Sequence, residues 1–442
     1  MNGATEQAPG ALPVRWGLGR GRRKAIRIAA VVAAVAVAAV AAIGGSLYRV
    51  AEHNVERVDL PALADKTSAA EPINVLVVGS DSRDGLTRQE REAYVLGPAY
   101  AGQRGDSVIL VSISPDRADA AVVSFPRDLL VVDGERESKL TETFARGPDH
   151  VVEVLQRATG VPIHHYVEMS IPGFLDVLGA IGGVELCIDY DLHDVKSGSD
   201  LQQGCHELTP AQALAFVRSR STPLGDFDRI ERQQVFMRAL LDRLIATRTL
   251  VDVPRLFAVV DDISSNVTTD SNLGVGHMRS LAKELRGLAE GQVPMVVVPG
   301  YTDQLGTKDY VVAYEAGARA LYRSLRLGRP IPPRGPPDER RATGVTIWSG
   351  GRDAAAELVR RTLFWSAFAV RDVVPGPAAP PPRTVVYASP GHELRAAWVA
   401  ATLGATVVST PDDVRFPDGV QVIVAVGADA QPAGAGGGDG KP

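Results

Sequence analysis

Residues 216–234, FVRSRSTPLGDFDRIERQQ, hold four arginines, two aspartates and two glutamines. Arg218 and Arg220 are two positions apart, so in an extended segment their side chains share one face. A Pro-Gly turn over 222–225 reverses the chain, and Asp228 can cap a second helix. On that helix Arg229, Arg232 and Gln233 lie three and four apart, again on one face. Guanidinium forks converging near a helix N-terminus suit phosphate oxygens, and the free N–H groups there add to the field. The same side chains also read as an ionic network of Asp226 and Asp228 with the arginines.

A second set of polar residues sits at strand ends. The apolar run 73–78 ends in Gly79, Ser80, Asp81, Ser82 and Arg83, a polar turn where open α/β sheets place their sites. SVILVSI follows Arg104-Gly105-Asp106, and DAAVVSF runs into Pro126-Arg127-Asp128. Asp81 thus follows its strand while Asp106 precedes its own; the two meet only if these strands are antiparallel neighbours. Converging, they could hold a hard cation such as Mg²⁺, which needs few protein ligands beside substrate phosphate. Ordinary turn chemistry places Asp at the same positions. His164 and His165 point to opposite sides of a strand and read as structural. No nucleophile elbow and no Gly-x4-Gly-Lys loop occurs.

The elements that carry these residues form a mixed α/β domain over 72–327. LTPAQALAF reads as a helix, with Thr209 as cap and Pro210 in the first turn. Further helices are expected over 149–159, 172–183, 228–245, 253–261, 276–288 and 310–325, with strands at 164–170, 184–188 and 295–300. Between helices and sheet, leucines, valines and phenylalanines could line a groove for a lipid chain or simply fill a core. A Pro-rich linker over 328–342 favours an extended connection. Residues 343–430 repeat one pattern twice: GVTIWSGGRDAAAELVRRTL and RTVVYASPGHELRAAWVAATL each read strand, Gly turn, helix. That predicts a second, smaller α/β domain of two similar halves, before a Gly-rich tail at 431–442.

At the other end, a basic tail (1–27) precedes an uncharged run over 28–48. At ~1.5 Å per residue this run would span ~31 Å, the length of a bilayer core. It predicts an uncleaved transmembrane helix with the tail cytoplasmic, a stalk over 49–71 and the body outside the cell membrane. The tail holds six of the 47 Lys and Arg but one of the 52 Asp and Glu, which leaves 41 basic against 51 acidic side chains. So acidic a body is a poor generic nucleic-acid binder. Cys187 and Cys205, the two cysteines, flank the polar loop DYDLHDVKSGSDLQQG, which an oxidising compartment would let them close. Their spacing is not that of a zinc site.

NVLVVGSDSR, RGDSVILVSI, SFPRDLLV, SKL, GGVELCI, LTPAQALAFVRSR and GDFDRIERQQ, taken in that order, resemble the LytR-CpsA-Psr family of envelope proteins over about 160 residues. The resemblance implies a membrane-bound transferase that moves a glycopolymer from a polyprenyl-pyrophosphate carrier onto peptidoglycan, with Mg²⁺ (or Mn²⁺) at the pyrophosphate. By motif, Asp81 and Asp106 match the metal-associated acids. Arg83, Arg127, Arg218, Arg220 and Arg229 match the pyrophosphate-binding arginines, with Gln233 beside them. Lys139 matches the family's KLN lysine, although Thr141 replaces the Asn. Gly105 and Ser107 likewise replace a Ser and a Thr around Asp106. Asp128 or a metal-bound alkoxide would serve as general base. Residues 343–430 resemble the C-terminal domain of actinobacterial members, which leans towards an arabinogalactan-like polymer. The reading from another class is a non-catalytic adaptor that binds lipid-linked glycan or peptidoglycan.

Overall fold

The computed structural model describes residues 56–65, 68, 70–96, 105–116, 119–220, 226–246, 266–274, 293–377 and 379–430. All of them lie within one compact unit, residues 51–442. The strands of its first part are β1 (Glu56–Val58), β2 (Ile73–Ser80), β3 (Gly105–Ile113), β4 (Ala120–Phe125), β5 (Leu130–Asp133), β6 (Arg136–Lys139), β7 (His165–Met169), β8 (Val184–Ile188), β9 (Leu192–Asp194), β10 (Ser199–Leu201), β11 (Gly204–Leu208), β12 (Val267–Asp270), β13 (Met295–Val297), β14 (Gly300–Leu305) and β15 (Lys308–Ala313). Its helices are α1 (Arg88–Ala93), α2 (Leu140–Thr143), α3 (Pro148–Thr159), α4 (Ile171–Ile181), α5 (Pro210–Arg218), α6 (Asp226–Ala246) and α7 (Glu315–Arg326).

Seven strands form a mixed sheet in the order β1-β12-β7-β2-β3-β4-β13. The continuous apolar runs of β2, β3 and β4 follow from burial on both faces. Leu76, Val78, Leu110 and Val123 enter a core with Val151, Leu155, Tyr166 and Leu321, under α3 and α7. Ile109, Ile113 and Val122 face the other way, against Met237 of α6. Each such side chain contributes roughly 1.5–3 kcal/mol when fully buried. A third core joins α4, α5 and α6 to β8–β11, with the Phe174 and Phe236 rings 5.4 Å apart.

The second part comprises α8 (Pro337–Arg341), β16 (Gly344–Trp348), α9 (Asp353–Trp365), β17 (Ala369–Val374), β18 (Val385–Ala388), α10 (Glu393–Leu403), β19 (Thr406–Val407) and β20 (Val422–Ala425). Its sheet runs β17-β16-β20-β18-β19 over a core of its own. β16 pairs with β17, and β18 with β19, both in parallel, so the repeated sequence pattern folds as two strand–helix–strand halves. The two parts pack closely: a Cβ on Gly317 of α7 would lie 2.2 Å from the Thr402 carbonyl of α10. Between them, alongside β13, runs a cleft of about 690 Å³.

Two expectations change. Among the described residues no helix is long and apolar enough to cross a membrane. That corrects the expected membrane helix ahead of the α/β domains, and with it the single-pass location; the expected span at 28–48 lies outside the described residues. The helix expected over 310–325 starts only at Glu315, because residues 308–313 pair with β14 across the turn at Gly306, φ +64°. The helices expected at 253–261 and 276–288 lie outside the described residues.

Candidate functional site

The antiparallel pairing of β2 with β3 matches Gly79 to Ser107 and Ser80 to Gly105, with an irregularity between them. Asp81, just past the end of β2, is therefore neighbour to Asp106 at the start of β3, the condition for the two acids to meet. The Asp106 side chain itself lies outside the described residues. β4 runs antiparallel to β3, with Val108 opposite Phe125, so Arg127 and Asp128 emerge at that same end. The hairpin register Leu130–Lys139 then brings Lys139 to Asp128, Nζ to Oδ1, 3.2 Å. Arg127 Nε stands 3.7 Å from the other Asp128 oxygen. The Arg127 carbonyl accepts from Thr141 N at 2.9 Å. Beside this row, Glu168 of β7 accepts from the Tyr166 hydroxyl at 3.0 Å. Burial raises the Glu168 carboxyl, against hydrogen bonds from Tyr166 and Ser80, and Glu56 adds like charge.

The arginine-rich segment is positioned by two helices. Thr209 and Gln212 form a reciprocal capping box at the start of α5, with Pro210 in its first turn. Arg218 is the last helical residue and Ser219 after it is extended (φ −62°, ψ 143°), so the expected extended Arg218-Ser219-Arg220 segment begins one residue late. The Arg218 fork is also engaged: Nη1 donates to Tyr94 O at 3.1 Å and Nη2 to Val95 O at 3.2 Å. Val95 sits at φ 50°, an uncommon conformation for a β-branched residue. Arg220 is fixed through its backbone, whose N–H donates to Asp194 Oδ2 at 2.9 Å. Burial would raise the Asp194 carboxyl, but donors from Arg220, Ser219, Lys196 and Ser197 outweigh it and hold it below the usual range. Asp194 belongs to the loop closed by the Cys187–Cys205 disulfide, which joins directly opposed residues of β8 and β11 with a Cα–Cα distance of 3.9 Å.

α6 starts at Asp226, so Asp228 is within its first turn and does not cap it; the side chain of Asp226 and the turn at 222–225 lie outside the described residues. Asp228 instead stands 3.7 Å from Arg341 of α8. Arg229 and Arg232 are buried. Arg232 Nη2 donates to the Ser219 carbonyl, and Gln233 Nε2 to Val217 O at 3.3 Å. One residue on, Gln234 Nε2 reaches Ser124 Oγ of β4 at 3.2 Å. That contact brings the arginine-bearing start of α6 to the strand end where Arg127 leaves the sheet. Arg83 lies in the turn after β2, where the Ser82 carbonyl accepts from Ile171 N at 3.2 Å, tying the start of α4 to the site.

Sequence patterns pass over Asp194, Glu231 and the α8 arginines, because each acts through a partner remote along the chain. The only local signal was acid within a loop that the cysteines close. His164 and His165 are structural: Asn74 N donates to His164 Nδ1 at 3.0 Å, and His165 Nδ1 lies 3.3 Å from Asp270. Among the described residues no group of three or more His, Cys, Asp or Glu could hold a metal ion. Asp81 and Asp106, on adjacent strand ends, are of the residue type a hard cation takes when water and phosphate complete its ligands. In chemical terms the strand end offers three acids, Asp81, Asp106 and Asp128, and the cations Arg83, Arg127, Lys139 and Arg220 stand on elements that converge there. Such a set matches a pyrophosphate better than a neutral ligand.

A family profile described as the LytR_cpsA_psr family matches residues 45–326, and the chain belongs to this LytR-CpsA-Psr family. Over 321 residues it is 33% identical to the "Probable cell wall biosynthesis protein LcpB" of Corynebacterium glutamicum, covering 71% of this chain and 76% of that one. It is 29% identical over 213 residues to the polyisoprenyl-teichoic acid–peptidoglycan teichoic acid transferase TagU of Bacillus cereus, covering 47% of this chain and 65% of that protein. In fold it is similar to the crystal structure of protein gbs0355 from Streptococcus agalactiae, with a TM-score of 0.50, 19% identity and coverage of 60% and 92%. These relatives support a part in cell-wall glycopolymer transfer.

Proposed function

We propose that this family member transfers a glycopolymer from a polyprenyl-pyrophosphate carrier to a hydroxyl of peptidoglycan, with an arabinogalactan-type polymer as the donor glycan. The observation that carries the reading is the antiparallel β2–β3–β4 register, which supports one site at a single sheet end where Asp81, Asp106, Arg127 and Asp128 gather. The acceptor oxygen would attack the glycan-proximal phosphorus, forming a phosphodiester as the bond to the bridging oxygen breaks. Polyprenyl phosphate leaves with the bond electrons and the hydroxyl proton passes to a base. With water as the acceptor, the same site would act as a pyrophosphatase. Arg83, Arg127, Lys139, Arg220 and Arg229 would bind the pyrophosphate oxygens, preorganised for the charge that develops on them. Arg218 and Gln233 would serve through the backbone carbonyls they hold. Asp128, already set between Lys139 and Arg127, is better suited to orient those cations than to take the proton. Asp81 and Asp106 would hold Mg²⁺ (or Mn²⁺), which when bound supplies positive charge against the pyrophosphate. The test is release of polyprenyl phosphate from a lipid-linked glycan, with and without peptidoglycan fragments as acceptor. Release together with glycan–peptidoglycan product is expected; donor binding without release would leave an adaptor.

A further inference from the structure

α6 carries a second set of side chains that the transfer reaction does not use. Asp228 and Glu231 lie on the flank of the helix adjoining Arg229, Arg232 and Gln233, and both are turned towards α8, the short helix that leads into the C-terminal part. Glu231 Oε1 pairs with Arg340 Nη2, and both side chains are only 11% exposed. Glu231 Oε2 pairs with Arg341 Nη2 at 3.2 Å, and Asp228 Oδ1 lies 3.7 Å from that nitrogen. Arg340 reaches further: its Nη1 donates at 2.6 Å to the carbonyl of Ser366, the C-cap that follows α9. One guanidinium therefore joins the site helix to the C-terminal core. On the other side of the same two turns, Arg232 and Gln233 hold the carbonyls of Ser219 and Val217. The path from Ser366 to the backbone between Arg218 and Arg220 is thus continuous, through Arg340, Glu231, the α6 backbone and Arg232.

We infer that Arg340, Arg341, Glu231 and Asp228 are positioning residues, through which the C-terminal part sets the orientation of the arginine segment at 217–220. A nearly buried, two-oxygen carboxylate gripped by two guanidinium groups has one well-defined geometry. Removing Glu231 takes the carboxylate from the nearly buried Arg340, and removing Arg340 leaves Glu231 to the more exposed Arg341 alone, so in either case the helix end must move or admit water. The role at the site rests on the proposed pyrophosphate reading; the mechanical coupling does not.

The test compares the full-length protein with Arg340→Gln, Glu231→Gln, the double variant and the exchange Glu231→Arg with Arg340→Glu. Two readouts are taken: hydrogen exchange of the amides at 217–220, and affinity for farnesyl pyrophosphate as the probe. Each single variant is expected to speed exchange at 217–220 and weaken probe binding by about three- to thirtyfold. The double variant should cost less than the two single effects combined, and the charge exchange should recover part of both losses. Unchanged exchange at 217–220 in both single variants, with only the C-terminal part loosened, would overturn the inference. So would additive effects in the double variant. Faster exchange in a protein that binds no pyrophosphate even as wild type would retain the coupling and refute the functional reading instead. Should Glu231→Gln fail to fold, Arg341→Gln probes the same carboxylate from its more exposed partner.

Discussion

Replacing Asp194 with alanine should damage a site that this residue never touches. Its carboxylate is 8% exposed and receives Arg220 N at 2.9 Å on one oxygen and Lys196 N at 3.0 Å on the other. Both bonds are charge-assisted, and both donors would be left unsatisfied where water enters poorly. At ~1–3 kcal/mol for each of the two stranded donors, the loss is about 2–6 kcal/mol. Asp194→Asn keeps one acceptor oxygen and should lose roughly half as much. The two variants also differ from wild type in pH dependence. Because the folded carboxyl sits below its ordinary value, its stabilisation is fully present above about pH 4 and is lost as pH falls through the folded value. The stability gap between wild type and Asp194→Asn should therefore stay flat from pH 8 to 5 and close in more acid solution. Urea unfolding followed by far-ultraviolet circular dichroism suits the measurement. Tryptophan emission does not, since Trp348, Trp365 and Trp398 follow residue 342 and Trp16, the fourth tryptophan, lies in the N-terminal tail, so none belongs to the segment that Asp194 holds. Hydrogen exchange at the Arg220 amide gives the local readout, and farnesyl pyrophosphate affinity the functional one. If Asp194→Ala leaves the Arg220 amide protected and probe affinity unchanged, the carboxylate does not hold the arginine segment.

Other perturbations separate the remaining contacts. Cys187→Ser with Cys205→Ser opens a loop of 18 residues and should cost about 3 kcal/mol in urea unfolding, with faster exchange at Arg220 as well; an unchanged midpoint would contradict a stapled loop. Arg220→Ala should weaken pyrophosphate binding by ~2–5 kcal/mol, whereas equal affinity would remove it from the site. Arg218→Lys can satisfy one of the two carbonyls its fork now holds, so a loss of about 1–2 kcal/mol of stability is expected, together with protease sensitivity near Val95. Asp81→Asn should raise the Mg²⁺ concentration needed for half-maximal release of polyprenyl phosphate while leaving the melting temperature nearly unchanged; the same metal dependence in Asp81→Asn and Asp106→Asn would place the metal elsewhere.

What could be read from sequence and what could not divides along chain distance. The strand runs, the Thr209–Pro210 helix start and the repeated halves of residues 343–430 are local patterns, set by burial, capping and period, and they fold as read. Whether Asp81 and Asp106 could meet was a question of strand direction, which periodicity does not carry; the β2–β3 pairing supplies it. Residues 308–313 misled because KDYVVA precedes a genuine helix and its apolar residues fit either period, so only the hairpin partner decides. Asp228 is a sound cap by residue type, but α6 starts two residues earlier, and the carboxylate faces Arg341 across 113 positions of sequence.

The arginine cluster shows most clearly what residue type leaves open. Sequence offered two alternatives for it, a phosphate site or an ionic network with Asp226 and Asp228. The described contacts divide the cluster instead of choosing one for all of it. Arg218 and Arg232 spend donors on the backbone carbonyls of Tyr94, Val95 and Ser219. The acids near them turn outward to Arg340 and Arg341. An anion site needs both kinds of residue, because a guanidinium binds a pyrophosphate strongly only when the chain beneath it is already held. Arg220 shows both kinds within a single residue: its backbone N–H is committed to Asp194, and its guanidinium belongs to the proposed pyrophosphate set. A substitution that disturbs the holding contacts should therefore weaken donor binding as surely as one that removes a binding guanidinium. The two are told apart by exchange at 217–220, which rises in the first case and stays unchanged in the second.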